Sequence, residues 1–496
     1  MKTAIIGGGV AGSTLLKGLL EHHALKPEDH ITVFEPRPVL GAGMPYAPDD
    51  VTLMLNSSPD TLSADRTDPL HFERWLAEHR PKAENFEGLI PRAVYGEYLN
   101  EYFKPYYNHP QVTVLHEHAD NVKVMETIED GPLLYKLSTQ ESGWGDTVYD
   151  ALFFAVGHAP YKDPYQLDGC ARYIGNPYPV SEQLSRIDSE ARVGIIGSGA
   201  TGIDLMRTLM QRETSNHPVT FYVKEKAFHM VHIPLEQKEM TFSFSADWIQ
   251  RQLENHGGRI PLRNIVDQIQ ADFETEHIDG WAVYEKYRAQ TLENYAEAID
   301  KWDQELAYVQ RYIQWMIPYM AHLYNLLPET DKLHYEQTYE AALQFFKSMV
   351  PVKTVQWMFD LLKEGHLRIV TGLTEVLPKQ GGTSFQVKAE KTEEVDWLIN
   401  ATGFEKTLTR GMQEQPLIRN LYHQGLILPA KNGRDILVDW PQTRMVSERF
   451  GTMDNAFFLG NWIYSTHYAN NSAENIMDHA RSLAEWFMEK RSRVEA

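Results

Sequence analysis

Hydrophobic and polar positions along this chain form short apolar runs separated by stretches with helical spacing. Residues 3–6, Thr-Ala-Ile-Ile, predict a strand, residues 13–23 a helix, and Ile31 to Phe34 the next strand. A turn-rich loop follows at Gly41 to Tyr46, then Leu55-Asn56-Ser57-Ser58-Pro59 and a helix-like stretch over 69–79. Residues 112–115, 121–125 and 133–137 read as short strands of a meander. They lead into an apolar run over 149–156 that meets Gly157 and His158. Pro160, Pro164, Pro177 and Pro179 punctuate a linker-like stretch, and a second domain starts near Ala191. It repeats the opening pattern: a run at 193–196, glycines, a helix-like stretch, and a strand at 219–223.

From about 228 to 350 the spacing is helical with few breakers. Tyr284, Tyr287, Leu292, Tyr295, Ile299, Trp302 and Leu306 recur at threes, fours and fives, as one face of long helices would. This insertion either builds its own aromatic core or serves as a lid or substrate-selecting subdomain. Its acidic rather than basic face argues against a membrane-surface role. Strands resume at 367–370 and 384–389, and residues 394–404 carry a strand into Gly403 in the form already seen at Gly157. Residues 455–459 run into a Gly460-Asn461 turn, and Asn470-Asn471-Ser472 is a capping run for a last helix through 488.

The two glycine-rich turns carry the chemistry. Gly7-Gly-Gly9-Val10-Ala11-Gly12 and Gly197-Ser-Gly199-Ala200-Thr201-Gly202 both read GxGxxG, each between a strand and a helix. The first glycine permits the tight turn, the second a close approach to a pyrophosphate, and the third close helix–strand packing; the helix N-terminus offers free N–H groups to phosphate. Glu35 ends the second strand about 20 residues beyond the first motif, where an acid bonds the ribose hydroxyls of an adenosine. In the second copy Val223 takes that place, followed by Lys224 and Lys226. These lysines either meet a 2′-phosphate, favouring NADPH over NADH, or are solvated surface charges.

The fold expected is α/β, with two Rossmann-like, three-layer dinucleotide-binding domains and a helical insertion in the second. Residues 1–165 and 396–496 are expected to form the first dinucleotide-binding domain, and 166–395 the second, with the insertion at about 228–350.

A formal net charge of −21 disfavours a nucleic-acid partner. No stretch approaches the ~18 apolar residues of a membrane span, and a strand at the very start leaves no room for a signal peptide, so a soluble, cytoplasmic protein is expected. A single cysteine, Cys170, excludes a redox-active cysteine pair within the chain and reads as an ordinary thiol. His116/His118 and His229/His232 lack further ligand-type neighbours, so no metal site is expected.

The first motif, Gly41-Ala-Gly43, Leu55-Asn56-Ser57-Ser58-Pro59, Asp68-Pro-Leu-His-Phe72-Glu-Arg-Trp75-Leu and Pro91-Arg92-Ala-Val-Tyr95-Gly96 resemble the FAD/NAD(P)-binding family that includes FAD-dependent urate hydroxylase and aspartate or asparagine N-monooxygenases. The likeness is strongest over the first ~160 residues. The second motif, Thr402-Gly403 and Gly460-Asn461 resemble class B flavin monooxygenases more broadly.

The resemblance implies FAD on Gly7, Gly9, Val10, Ala11, Gly12 and Glu35, with Gly157, Gly460 and Asn461 close by. It implies NAD(P)H on Gly197, Gly199, Ala200, Thr201 and Gly202, with Thr402 and Gly403 also at a cofactor. It further implies hydride transfer to flavin and oxygen capture as a C4a-(hydro)peroxyflavin. Asn56 and Ser57 are candidates for flavin or peroxide contacts, or are turn formers. Arg92 meets an FAD phosphate, an acidic substrate, or a surface partner.

Two departures stand out. The Gly-Asp turn of many relatives is Gly460-Asn461, and the Baeyer–Villiger fingerprint FxGxxxHxxxWP is absent. The leading expectation is an NAD(P)H-dependent FAD monooxygenase that uses molecular oxygen to N- or C-hydroxylate a small polar molecule. The alternatives are an NAD(P)H oxidase or electron-transfer reductase, and a non-catalytic flavin-binding interaction protein. Substrate and oligomeric state are not legible.

Overall fold

The opening apolar run forms β1 (Lys2–Ile6), followed by α1 (Val10–Glu21) and β2 (His30–Phe34). Strand alternation sends Ile5 into one core and Ala4 and Ile6 into another. The computed structural model describes residues 1–82, 89–125, 131–211, 217–237, 239–379, 381–467 and 472–495, with side chains through Arg493. Its contacts divide the chain into two units, Met1–Lys162 with Phe404–Ala496, and Asp163–Gly403.

The first unit continues with α2 (His71–His79), α3 (Arg92–Tyr107), β3 (Val112–Leu115), β4 (Ala119–Met125), β5 (Leu134–Thr139), β6 (Gly143–Trp144) and β7 (Ala151–Phe154). β3 corrects the meander expected from the sequence. It pairs in parallel with β2, Val112 opposite Ile31, and the antiparallel meander is β4, β5 and β6. A period-2 pattern does not name a strand's neighbour; here Gln111 does, donating from Nε2 to the carbonyls of Lys26 (2.7 Å) and Asp29 (2.9 Å) beside β2.

The second unit opens with β8 (Tyr173–Ile174), α4 (Val180–Ser185), β9 (Val193–Ile196), α5 (Ala200–Met210), β10 (Val219–Tyr222) and β11 (Met230–His232). Seven helices follow: α6 (Ala246–Asn255), α7 (Leu262–Thr275), α8 (Gly280–Tyr287), α9 (Leu292–Asp300), α10 (Gln304–Leu326), α11 (Glu329–Thr338) and α12 (Glu340–Lys347). β12 (Met349–Pro351), α13 (Val352–Glu364), β13 (Leu367–Val370), β14 (Glu375–Lys379), β15 (Ser384–Lys388), β16 (Thr392–Val395) and β17 (Trp397–Asn400) complete it.

Five strands form a parallel sheet in the order β13-β10-β9-β17-β8 among the described residues, and β14–β16 pack over one face of it. The insertion is clasped at its base by β11 and β12, paired in parallel with Met230 opposite Met349.

Three expectations change in this unit. The proline-punctuated stretch is not a bare linker, because β8 within it extends the sheet beside β17. Residues 396–403, expected with the first domain, belong here because β17 pairs with β9. The aromatic stripe 284–306 is not one face of long helices. Capping side chains at Asp279, Thr291 and Asp303 restart the helix three times, and of the stripe Tyr287, Tyr295 and Leu306 are buried.

The chain then returns to the first unit through α14 (Leu408–Gly411), α15 (Pro416–His423), β18 (Val438–Asp439), β19 (Arg444–Ser447), β20 (Gly451–Phe458) and α16 (Ala473–Glu495). Ser472 caps α16, its Oγ accepting from the Asn475 N–H at 3.2 Å; Asn470 and Asn471 lie outside the described residues. Among the described residues seven strands make one sheet, β18-β19-β20-β7-β1-β2-β3, parallel from β20 to β3. α1, α3 and α16 cover one face, and the meander with α15 covers the other. Among the described residues, no helix is long and apolar enough to cross a membrane.

Candidate functional site

In the first unit the strand order reverses direction at β1, with β2 on one side and β7 on the other, and ligands of open α/β sheets bind at such a point beyond the strand ends. Gly7 follows β1 with φ +106°, a conformation that excludes a side chain, and a Cβ there would strike the Ala155 carbonyl. A Cβ on Gly12 would strike the Gly7 carbonyl oxygen, so the third glycine lets α1 seat on the turn. Gly9 is the N-cap of α1 and provides no side-chain cap, which leaves the first-turn N–H groups of Val10 and Ala11 for an anion. The Gly41–Gly43 loop lies against this turn. Gly41 donates to the Gly8 carbonyl at 2.8 Å, and a Cβ on Gly9 would come within 3.2 Å of the Gly43 Cα.

β7, the parallel neighbour of β1, and β20, the parallel neighbour of β7, also run on into positive-φ glycines, Gly157 and Gly460, and a Cβ at either meets nothing within 4 Å. The strand register brings the next residues together. The Asn461 amide donates to Nδ1 of His158. The His158 ring stacks on Phe404, with centroids 4.5 Å apart and planes 8° apart. Burial pushes this imidazole down to about 4, so it is neutral at pH 7. Asn461, which the resemblance places close to FAD, gives its amide to His158, a residue not singled out from the sequence as a site residue.

Glu35 is buried at the end of β2, and its carboxylate is already bonded. Oε2 accepts from Gly8 N–H at 2.8 Å, and Arg37 adds its backbone N–H and two guanidinium donors at 2.7–3.1 Å. Four donors fill about the four acceptor positions of a carboxylate, three of them from the half-exposed Arg37. Burial alone would raise the Glu35 carboxyl, but the Arg37 hydrogen bonds and charge outweigh it and hold it below its ordinary value. The stabilisation this provides is complete above the unfolded pKa, ~4.3, and is lost as pH falls through the lower folded value. Arg37→Ala removes the guanidinium bonds and charge and leaves only the backbone N–H groups of residues 8 and 37 to oppose burial, so its acid-induced loss of melting temperature is expected to begin at a higher pH than in wild type. Parallel pH series of thermal unfolding between pH 3 and 6 check this; superimposable acid limbs would exclude the role of Arg37.

Arg92 begins α3, and its Nε donates to the Met54 carbonyl at 2.9 Å while Leu55 N–H donates to Ile90. This ties the start of α3 to the segment that continues into Asn56 and Ser57, both exposed.

The second unit repeats the turn. Gly197 follows β9 with φ +94° close to the Ala401 carbonyl, and a Cβ on Gly202 would lie 2.9 Å from the Phe221 ring. Gly199 caps α5 without a side-chain bond, leaving the N–H groups of Ala200 and Thr201 to a ligand. β17 ends beside it at Thr402 and Gly403. Thr402 is held by Asn400 through its N–H (3.1 Å) and Oγ1 (2.6 Å), and Gly403 has φ +84°. Lys224 and Lys226 are exposed beyond β10. His229, not singled out as a cofactor residue, places Nε2 3.8 Å from the Cβ position of Gly199; burial, with Lys226 adding to it, pushes it down to about 4.

Residues 4–159 match the model of a FAD-NAD(P)-binding family. No curated protein sequence matches the chain. Among solved structures, the ornithine N-hydroxylase of Kutzneria sp. 744, crystallised with reduced FAD, NADP⁺ and L-ornithine, is 13% identical with a TM-score of 0.60, covering 99% of both chains. The cadaverine monooxygenase of Erwinia amylovora, bound to FAD, is 12% identical with a TM-score of 0.59, over 99% of this chain and 94% of that one. The L-lysine 6-monooxygenase of Pseudomonas syringae is 14% identical with a TM-score of 0.55, over 98% and 99%. The chain therefore shares the fold of these monooxygenases, and residues 4–159 match a FAD-NAD(P)-binding domain.

Proposed function

We propose that the chain is an NAD(P)H-dependent FAD monooxygenase that hydroxylates a small polar substrate with molecular oxygen. Unit Met1–Lys162 with Phe404–Ala496 holds FAD, and unit Asp163–Gly403 holds NAD(P)H. The observation that carries this reading is the duplication of one device: each unit places a GxGxxG turn at its sheet's switch point, under a helix of more than two turns whose N-terminus has no side-chain cap. Two pyrophosphates, each met by such a terminus, fit a chain that passes a hydride from one dinucleotide to another. Bound flavin would supply hydride acceptance and reaction with oxygen, and the protein's part is to bind, orient and exclude water.

The residues have distinct tasks in this reading. Gly7, Gly9 and Gly12 set the pyrophosphate against α1, and Glu35 takes the adenosine ribose. Gly157 and Gly460 keep the strand ends open beside it. The neutral His158 fixes the Asn461 amide without placing a charge there. Asn56 and Ser57 are the exposed polar groups beside the anchored Arg92 and are proposed to contact flavin or substrate. The single cysteine, Cys170, packs against Gly382, so no dithiol within the chain can receive the electrons. Ornithine, lysine and cadaverine, on which the structural neighbours act, are the first substrates to test.

The deciding experiment is an absorption spectrum of the purified protein, then anaerobic NADPH, then air. A yellow protein whose flavin bands bleach with NADPH and return in air is expected. With an accepted substrate, hydroxylated product should appear in proportion to NADPH consumed. A colourless protein that refuses added FAD would overturn the proposal, and peroxide as the sole product with every amine tried would favour the oxidase reading.

A further inference from the structure

The helical insertion surrounds a cavity of about 520 Å³ between α7, α8, α10, α11 and α12. α10 contributes one stripe to its wall, Val309, Ile313, Met316, Met320 and Leu323, at alternating steps of four and three, and α7 answers with Ile265, Ile269 and Phe273. Such stripes normally close on one another, and protein interiors leave few voids larger than a water molecule, roughly 30 Å³. A space of this size instead falls in the range of small-molecule sites, ~300–1,000 Å³. The two methionines give the wall side chains that adapt to a guest's shape.

The lining is apolar in its depth and acidic at its rim. Its charged residues are Glu274 and Asp279, both exposed, and no cation lines it among the described residues. Asp279 uses Oδ1 to cap α8 through the N–H groups of Trp281 and Ala282, and Glu274 makes no ion pair among the described residues. Trp281, 48% exposed, stands edge-on to Tyr339 at 6.4 Å, so an aromatic face borders the same rim.

We propose that this cavity is a second small-molecule site, which takes an organic monocation with an aliphatic or aryl body. The body enters the apolar wall, and the ammonium stays at the rim with Glu274 and the Trp281 and Tyr339 rings. A carboxylate of the same shape is repelled there, and a neutral alcohol gains the wall but not the rim. The site goes beyond the proposed oxygenase reaction, because it lies wholly within the insertion and shares no residue with either glycine turn.

Calorimetric titration of the full-length protein with butyl-, hexyl- and octylamine, and with octanol and octanoate, tests it by binding alone, independently of flavin chemistry. Affinity should rise about fourfold per added methylene, in the order amine, alcohol, carboxylate. Glu274→Gln, an exposed change that spares the fold, should weaken the amine about two- to fivefold and leave octanol unchanged. Ala342→Trp, which places an indole in the cavity, should weaken binding of all three classes. Binding without chain-length dependence, octanoate binding as tightly as octylamine, no response of the amine to Glu274→Gln, or no binding at all would each overturn the proposal.

Discussion

Gly9→Val is expected to yield a folded protein that has lost its FAD. The N-cap backbone at Gly9, φ −77°, accepts an L-residue without strain. The added Cβ meets the Gly43 Cα at 3.2 Å, and its methyls stand where a pyrophosphate would lie against the α1 terminus. Overpacking of this kind costs ~1–3 kcal/mol of stability, and the methyls in the pyrophosphate's place remove its contacts with the turn. Gly12→Ala is the contrasting control. Its Cβ would run into the Gly7 carbonyl oxygen, so α1 must move off the turn and the fold itself should suffer. Flavin content by absorbance, with unfolding followed in parallel, separates the two. A Gly9→Val protein as yellow as wild type would remove the first glycine turn from the flavin site.

The second large effect concerns the nucleotide. Wild type is expected to prefer NADPH over NADH, because Val223 stands where an acid would repel a 2′-phosphate, with Lys224 and Lys226 exposed just beyond. A hydrogen bond to a charged group contributes about 1.5–3 kcal/mol, or roughly ten- to a hundredfold in kcat/KM. The double variant Lys224→Ala, Lys226→Ala should lose most of that preference while keeping its rate with NADH. Equal use of both nucleotides by wild type, or a preference untouched by the double variant, would reassign the lysines to solvent.

Much of the site was legible because it is local. A GxGxxG turn and its flanking strand and helix occupy about a dozen consecutive residues, and most of its glycines are required by a contact within that span or by the adjacent strand. Gly12 against the Gly7 carbonyl is of this kind. His158 was passed over for the opposite reason. Its partners, Phe404 and Asn461, are far away in the chain, and only the parallel register of β7 with β20 sets His158 beside Asn461. The place of Glu35 at the end of β2 was legible, but its four donors were not, since Arg37 two residues on carries no periodic signal.

By itself, the sequence determined the two strand–glycine–helix turns, the acid closing β2, the helical character of residues 228–350 and the absence of a cysteine pair. Each is written in neighbours along the chain, where backbone conformation and side-chain spacing act directly. Tertiary structure alone decided that β3 joins the main sheet and that β8 and β17 complete the second one. It also decided that the aromatic stripe breaks into capped helices, and that their apolar faces surround a cavity instead of closing on one another. Strand pairing and cavity volume depend on what long-range packing brings opposite each face, and an apolar pattern shows only that a face will be buried, not against what.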